Sequence, residues 1–175
     1  MKPERRSEPK LVTVPMANKL INILMQDRPC WRVTRVLGSM LVFDFGDRID
    51  AVTKRGNLIQ VGSEQLSIRN VHWLASSGRL RRWTSDTLDG PRMDEMCREF
   101  SGSYLKGCHR KGQRLSLVFS HGLKISLDLT NRYGVESAEE IAEFRLKGSL
   151  ALSLSPGGAF TLRESTVLRE RKAAA

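Results

Sequence analysis

The chain has 175 residues, of which 40% are hydrophobic and 27% charged, so it can bury a core without disulfides or a metal. Its formal net charge of +10 favours anionic partners such as nucleic acid or acidic proteins. The sequence has no apolar run of about 18 residues and no signal peptide at its charged N-terminus, so we expect neither a transmembrane helix nor a membrane partner. Three scattered cysteines suit a reducing compartment, and we expect a cytoplasmic, bacterial protein.

The first two segments of the chain are not predicted to be strands. Residues 1–10 are polar and contain two prolines, which predicts a disordered basic leader. Residues 15–26 are predicted to form a helix, with Pro15 in the first turn, where its missing N–H costs nothing. The apolar residues at helical spacing are Met16, Leu20, Ile23 and Leu24, with Ile21 beside them. We expect this helix to cover one end of a sheet, and docking on a partner is the alternative.

Most of the remaining chain alternates apolar and polar residues, which is the pattern of strands. Residues 39–45 alternate and are followed by Gly46 and Asp47, which predict a hairpin turn into a second strand at residues 48–53. Two further hairpins are predicted at residues 113–129 and 145–162. Strands therefore follow one another along the chain, mostly without a helix between them.

Two more short helices are predicted between these strands. Residues 91–100 place four side chains on one helical face: Met93, Met96, Cys97 and Phe100. Asp89 is a candidate N-cap for this helix. Residues 137–144 have the form of a capping box, because Ser137 is followed three residues later by Glu140.

These elements predict a mainly β, α+β fold with antiparallel pairing, because a parallel sheet would need a helix between successive strands. We expect a β-sandwich, or a strongly curved sheet approaching a partial barrel, built from successive hairpins with two or three short helices. The predicted organisation is a disordered leader at 1–10, one β-rich domain at 11–163 and a charged tail ending in alanines at 164–175. The expected core consists of the alternating apolar residues: Leu41, Phe43, Phe45, Leu66, Ile68, Leu117, Phe119, Ile125, Leu127, Leu150, Leu152 and Leu154.

The densest basic segment within the predicted domain is residues 79–83. On a strand, Arg79, Arg81 and Trp83 would share one face, with Arg82 on the other. Arginine beside an exposed aromatic ring is typical of a single-stranded nucleic-acid groove, whereas a core tryptophan with arginines on a solvated face is the alternative. A second basic group flanks a later predicted turn. The candidate binding residues are therefore Arg79, Arg81, Arg82, Trp83, Arg110, Lys111 and Arg114.

Three carboxylates, Asp44, Asp47 and Asp50, lie within seven residues of one another. They are candidates for a metal or acid–base cluster at a hairpin, or for ion pairs with nearby arginines such as Arg32 and Arg35. The segment lacks the dense oxygen pattern and fixed glycine of a calcium loop. We therefore favour the structural interpretation of these carboxylates.

No motif for metal binding or covalent catalysis stands out in the sequence. Its histidines and cysteines lack the C-x-x-C and H-x-x-x-H spacings of zinc sites. A Cys108–His121 nucleophile pair is conceivable, but the sequence gives no indication that the two side chains meet. G-x-S-x-G, Walker A and G-x-G-x-x-G motifs are absent, so we predict no cofactor and no metal.

Three functional hypotheses follow from these patterns. The leading one is a non-catalytic, basic, β-rich binding module for an acidic protein, as when an antitoxin or immunity-type protein masks an acidic active site. The second is a single-stranded nucleic-acid-binding module that uses residues 79–83. The third is an enzyme with Asp44 and Asp47 at its centre. An exposed edge strand would suit pairing of two copies, but the sequence does not indicate which strand.

Overall fold

Within the residues described by the computed structural model of the protein there are twelve strands, most of them in the alternating segments, and two of the predicted helices are present. The structure describes these residues: 9–25, 27–36, 39–53, 55–78, 81–86, 90–130, 140–146 and 150–164. The helices are α1 (Val14–Met25) and α2 (Gly90–Phe100), and a single 3-10 turn covers Ser120–Gly122. The strands are β1 (Lys10–Val12), β2 (Cys30–Arg35), β3 (Leu41–Val52), β4 (Leu58–Ile68), β5 (His72–Ser77), β6 (Arg81–Thr84), β7 (Leu105–Lys111), β8 (Arg114–Phe119), β9 (Leu123–Asp128), β10 (Ala142–Leu146), β11 (Leu150–Leu154) and β12 (Phe160–Glu164).

The strands form two antiparallel sheets, which confirms the predicted mainly β, α+β fold and shows that it is not a closed barrel. The seven-stranded sheet has the order β1-β12-β11-β10-β4-β3-β2, and the five-stranded sheet has the order β6-β5-β9-β8-β7. α1 packs against β7, and α2 packs against the edge strands β2 and β6. The two helices therefore lie beside sheet edges, where they cover apolar surface that the strands leave open.

The core lies between the two sheets and consists of the residues that the alternation predicts. Every predicted core residue is buried except Leu150, which is half-buried. Three aromatic rings connect the two sheets and α2. The ring centroids of Phe43 in the seven-stranded sheet and Phe119 in the five-stranded sheet are 5.6 Å apart. The ring centroid of Phe100 on α2 is 5.1 Å from that of Phe119, and these two rings pack edge to face. This cluster couples both sheets and α2 in one packing unit.

The buried face of α1 differs from the predicted one. Ala17, Ile21 and Met25, spaced four residues apart, are fully buried, whereas Met16 and Ile23 are 56% and 62% exposed. In this orientation the Asn18 side-chain oxygen accepts a hydrogen bond from the Cys108 N–H of β7 at 2.9 Å. The helix packs against a sheet, and the predicted apolar face was wrong for Met16 and Ile23, whereas Ile21 beside it is buried; the side chain of Leu24 lies outside what the structure describes.

The predicted helix over residues 137–144 was also wrong where it can be checked. Residues 137–139 lie outside the described residues, and residues 142–146 form strand β10 between β4 and β11. The Glu140 side chain does not cap a helix and instead contacts Arg69 and Arg163, each at 2.6 Å. Backbone pairing with two neighbouring strands thus outweighs the local capping signal.

Gly46 and Asp47 do not form the predicted hairpin turn. β3 continues through them to Val52, and the connection to β4 is closed by a hydrogen bond from the Thr53 N–H to the Asn57 carbonyl oxygen. The register between β3 and β4 shifts between Phe45 and Arg48, so these two residues form a β-bulge. Gly46 adopts a φ of +70°, which favours glycine.

Most of the predicted leader and tail lie outside the described part of the chain. The structure gives no description of residues 1–8 or 165–175. Lys10 is the first residue of β1, which pairs with β12, and Glu164 is the last residue of β12. The segment between them forms the two packed sheets.

Candidate functional site

One face of the five-stranded sheet packs into the core, and the other carries the polar residues of the same strands. Strand pairing aligns outward residues in rows, of which one contains Arg82, Ser76 and Lys124. Another row contains Asp128, Arg114 and Lys111. The row between them is mostly small or neutral: Thr84, Leu74, Ser126, Ser116 and His109. We call this outer surface the basic face, defined by its four cations Arg82, Lys111, Arg114 and Lys124.

The four cations of the basic face are exposed, and none of them has a hydrogen bond or ion pair with another described residue. Lys111 and Arg114 lie directly opposite each other in the β7–β8 register, an arrangement of like charges that is destabilising by itself. The single carboxylate in these rows, Asp128, accepts hydrogen bonds from the backbone N–H and hydroxyl of Thr130. The basic face is therefore electropositive and open to an anionic ligand.

Two exposed or half-buried arginines of the seven-stranded sheet are, by contrast, paired with carboxylates. Arg32 on β2 contacts Asp44 at 2.8 Å. Arg163 on β12 contacts Glu140 at 2.6 Å and Glu143 at 2.7 Å. These arginines are neutralised within the protein, whereas the four cations of the basic face have no carboxylate partner among the described residues.

Two of the predicted binding residues on β6, Trp83 and Arg81, make their contacts within the protein. Trp83 is only 3% exposed, so its ring belongs to the core, which is the alternative that the sequence left open. Arg81 contacts Glu99 at 2.6 Å and Glu95 at 3.2 Å, and thereby ties β6 to α2. Arg82 points to the opposite face, as the alternation predicts. Arg79 lies outside the described residues.

The second predicted group also contains one arginine that is bonded within the protein, Arg110, and two cations that are not, Lys111 and Arg114. The Arg110 guanidinium donates hydrogen bonds to the carbonyl oxygens of Gly112, Gly157 and Gly158, at 3.1, 2.9 and 2.9 Å. It therefore joins the turn between β7 and β8 to the turn between β11 and β12. Lys111 and Arg114 belong to the basic face. Lys124 completes that face and was missed, because only the strand register places it beside Arg82.

Asp44, the centre of the enzyme hypothesis, is 1% exposed and its carboxylate is fully engaged. One carboxylate oxygen, Oδ1, accepts the Gly62 N–H at 2.8 Å and the Gln65 side-chain amide at 2.6 Å, and the other, Oδ2, accepts Arg32 Nε at 2.8 Å. Arg32 also donates to the Gln60 carbonyl oxygen. The Asp44–Arg32 pair thus binds the backbone of β4 where the bulge interrupts the ladder, and this is a structural role.

A pocket of about 510 Å³ lies between the end of α1 and the start of β7, and Asp44 is not one of its described lining residues. Its described lining residues are Asn22, Asp27, Tyr104, Leu105, Lys106 and Ser120. The enzyme hypothesis requires a pocket at the Asp44 carboxylate, and this pocket does not provide one.

The cysteines are positioned as packing residues. Burial raises the pKa of the Cys30 thiol to about 12 and that of Cys108 to about 11. Burial also raises the pKa of Cys97, which is half-buried on α2. A nucleophilic cysteine needs the opposite shift, because the thiolate is the reactive form. The Cys108–His121 pair therefore gains no support from the structure.

We predict that thiol labelling of the folded protein near pH 8 modifies Cys97 slowly and leaves Cys30 and Cys108 unmodified. The physical reason is the combination of burial and raised pKa at the last two thiols. Labelling kinetics followed by peptide mass spectrometry, with a urea-unfolded sample as the reference, would measure this order. Rapid modification of all three cysteines in the folded protein would contradict it.

The comparisons with known proteins find no protein-family model and no curated protein that match the sequence. Within the described ranges, no group of three His, Cys, Asp or Glu side chains is placed to hold a metal ion. Neither α1 nor α2 is long and apolar enough to cross a membrane. A functional conclusion for this chain therefore depends on the geometry and charge of its surfaces.

Proposed function

We propose that this chain is a non-catalytic binding module that docks an acidic protein on its basic face. The proposal is carried by one observation, the four exposed cations of that face, none of which forms an ion pair with a residue that the structure describes. An acidic surface that approaches it gains Coulomb attraction without first breaking an intramolecular pair. The serine and threonine hydroxyls between the cations can donate hydrogen bonds to carboxylates. An antitoxin or immunity-type protein that masks an acidic active site is one function of this class.

An acidic protein is favoured over single-stranded nucleic acid because the basic face lacks a stacking platform. A single-strand groove combines cations with exposed aromatic rings on which bases stack. The paired rows of the five-stranded sheet contain no Phe, Tyr or Trp on their outer side, and the Trp83 ring is buried. Phosphate contacts alone would give binding that depends on salt but does not prefer single strands.

We predict that the protein binds poly-L-glutamate with an affinity that falls steeply as salt is raised. It is expected to bind a random single-stranded oligonucleotide no more tightly than a duplex of the same length. Fluorescence anisotropy of labelled probes across a salt series would measure both properties. A clear preference for the single strand would support the nucleic-acid hypothesis and contradict ours, as would failure to bind poly-L-glutamate at low salt.

The double variant Lys111→Glu with Arg114→Glu tests whether the basic face is responsible. Reversing two charges is expected to weaken poly-L-glutamate binding about tenfold or more and to flatten the salt dependence. The matched control is Lys10→Glu with Lys19→Glu, which changes the net charge equally at two exposed lysines outside the basic face. Equal effects of the two double variants would show that only net charge matters.

A further inference from the structure

The pocket between α1 and β7 has the size of a small-molecule site. Its volume of about 510 Å³ lies within the range of about 300–1,000 Å³ that is usual for such sites. None of its described lining residues belongs to the basic face. The chemistry of a ligand bound here is therefore set by side chains other than those of the proposed docking surface.

The pocket lies where α1 comes close to β7. Gly107 has a φ of +145°, and a Cβ atom at this position would lie 2.5 Å from Asn18 Oδ1 and 3.1 Å from Asn22 Oδ1, so the approach of the helix depends on glycine. The register of β7 with β8 also shifts between Leu105 and Gly107, which places Lys106 at a β-bulge. Bulges redirect side chains and are frequent beside functional sites.

Two polar groups of the pocket wall have unused hydrogen-bonding capacity. Asn22 Oδ1 is buried and accepts no hydrogen bond from a residue that the structure describes, an arrangement that costs free energy. The Ser120 hydroxyl oxygen accepts the Tyr104 N–H at 2.9 Å, whereas its O–H has no acceptor among the described residues. The wall therefore offers a ligand one acceptor and one donor.

The pocket is also lined by two opposite charges that do not meet. Asp27 and Lys106 are both exposed, and neither forms an ion pair with the other or with any other described residue. Each can therefore bind a charged group of a ligand without first breaking an intramolecular pair.

We propose that this pocket binds a small zwitterion that carries an ammonium and a carboxylate, as free α-amino acids and dipeptides do. The ligand ammonium pairs with Asp27 and donates a hydrogen bond to Asn22 Oδ1. The ligand carboxylate pairs with Lys106 and accepts a hydrogen bond from the Ser120 hydroxyl.

A zwitterion fits this pocket better than a ligand with a single charge. An anion gains from Lys106 but meets the Asp27 carboxylate, and a cation is repelled by the net charge of +10 of the chain. A ligand with both charges leaves neither side chain facing its own sign. Tyr104, which is 38% exposed, and Leu105 also line the pocket and favour an apolar or aromatic ligand side chain.

L-Phenylalanine and the dipeptide L-alanyl-L-phenylalanine are suitable probes, because both carry the two charges and an aromatic ring. At least one of them is expected to bind with a dissociation constant of about 0.1–2 mM, as is usual for ligands of this size. The tighter binder of the two shows whether the natural ligand is a free amino acid or a peptide. Hydrocinnamate lacks the ammonium and phenethylamine lacks the carboxylate, so each is expected to bind at least about threefold more weakly than L-phenylalanine. Ligand-observed NMR titrations would measure all four affinities.

Two variants connect each ligand charge with one side chain. Asp27→Asn, which retains a residue that tolerates the left-handed φ of +61°, is expected to weaken L-phenylalanine binding at least about threefold and to leave hydrocinnamate binding unchanged. Lys106→Gln is expected to weaken L-phenylalanine binding to a similar extent and to leave phenethylamine binding unchanged. The matched controls are Asp50→Asn and Lys19→Gln, at exposed residues outside the pocket lining, and these are expected to bind like the wild type.

Three results would overturn the proposal. The first is the absence of saturable binding of both zwitterions up to about 20 mM, ten times the weakest expected dissociation constant. The second is binding of hydrocinnamate or phenethylamine as tight as that of L-phenylalanine. The third is binding by Asp27→Asn and Lys106→Gln that matches the two controls.

Discussion

Replacing Asp44 by alanine is expected to lower the free energy of unfolding by about 2–4 kcal/mol, because two buried hydrogen-bond donors lose their acceptor. Asp44 is 1% exposed and binds Arg32, the Gln65 amide and the Gly62 N–H. Its removal leaves the last two donors without an acceptor at the point where the bulge interrupts the ladder. Urea unfolding followed by circular dichroism would measure the loss.

Two matched variants define the origin of this effect. Asp44→Asn retains an acceptor oxygen but loses the charge, so its loss of stability is expected to be smaller than that of the alanine variant. Asp50→Ala removes an exposed carboxylate from the same strand and is expected to change stability by no more than about 0.5 kcal/mol. If Asp44→Ala behaved like Asp50→Ala, the structural role assigned to Asp44 would be wrong.

Replacing Gly46 by alanine is expected to destabilise the protein by about 2–5 kcal/mol. A methyl group there would overlap the Glu64 carboxylate and the Ser63 hydroxyl, and would lie 2.8 Å from an Arg28 guanidinium nitrogen. Overpacking of this kind costs about 1–3 kcal/mol. The left-handed φ of +70° adds about 1–2 kcal/mol for a residue with a Cβ atom. Urea or thermal unfolding would measure the total.

Gly56→Ala separates the two contributions at Gly46. Gly56 has a φ of +81° in the turn of the same hairpin, and no atom lies within 4 Å of the position that a Cβ would occupy. Only the conformational cost of about 1–2 kcal/mol is therefore expected there. An equal loss of stability in both alanine variants would contradict the close packing of Gly46 against Glu64.

The fold was predictable from sequence because its main signal is local. The alternation of residues such as Leu41, Phe43 and Phe45 places one side of a strand in the core, whatever that strand pairs with. The same logic placed Arg82 opposite Trp83 on β6. Burial of alternate side chains thus determined both the antiparallel sheets and most of the core.

The errors arose where contacts distant in sequence decide between two local alternatives. A Gly-Asp pair suits a hairpin turn and a β-bulge equally well. In the structure the bulge lies beside the long-range contacts of Asp44 with Arg32 and Gln65. The capping signal at residues 137–144 similarly gives way to strand pairing on both sides of β10. Neither set of contacts can be inferred from spacing alone.

The candidate site was predictable only in part for the same reason. The sequence shows where arginines cluster but not which of them have internal partners. Arg81 is engaged by glutamates of α2, and Arg110 by carbonyl oxygens of two turns. Lys124 stands alone in sequence, and the pairing of β9 with β5 brings it into a row with Arg82. The basic face is thus a property of sheet register.

Lysine footprinting tests most directly whether the basic face is the docking surface. The protein would be acetylated briefly with and without bound poly-L-glutamate, and the modification of each lysine measured by mass spectrometry. We predict that Lys111 and Lys124 are protected by the bound probe, whereas Lys10 and Lys19, which are also exposed, react as they do in the free protein. Equal protection of all four lysines, or protection of Lys10 and Lys19 alone, would contradict the proposed function.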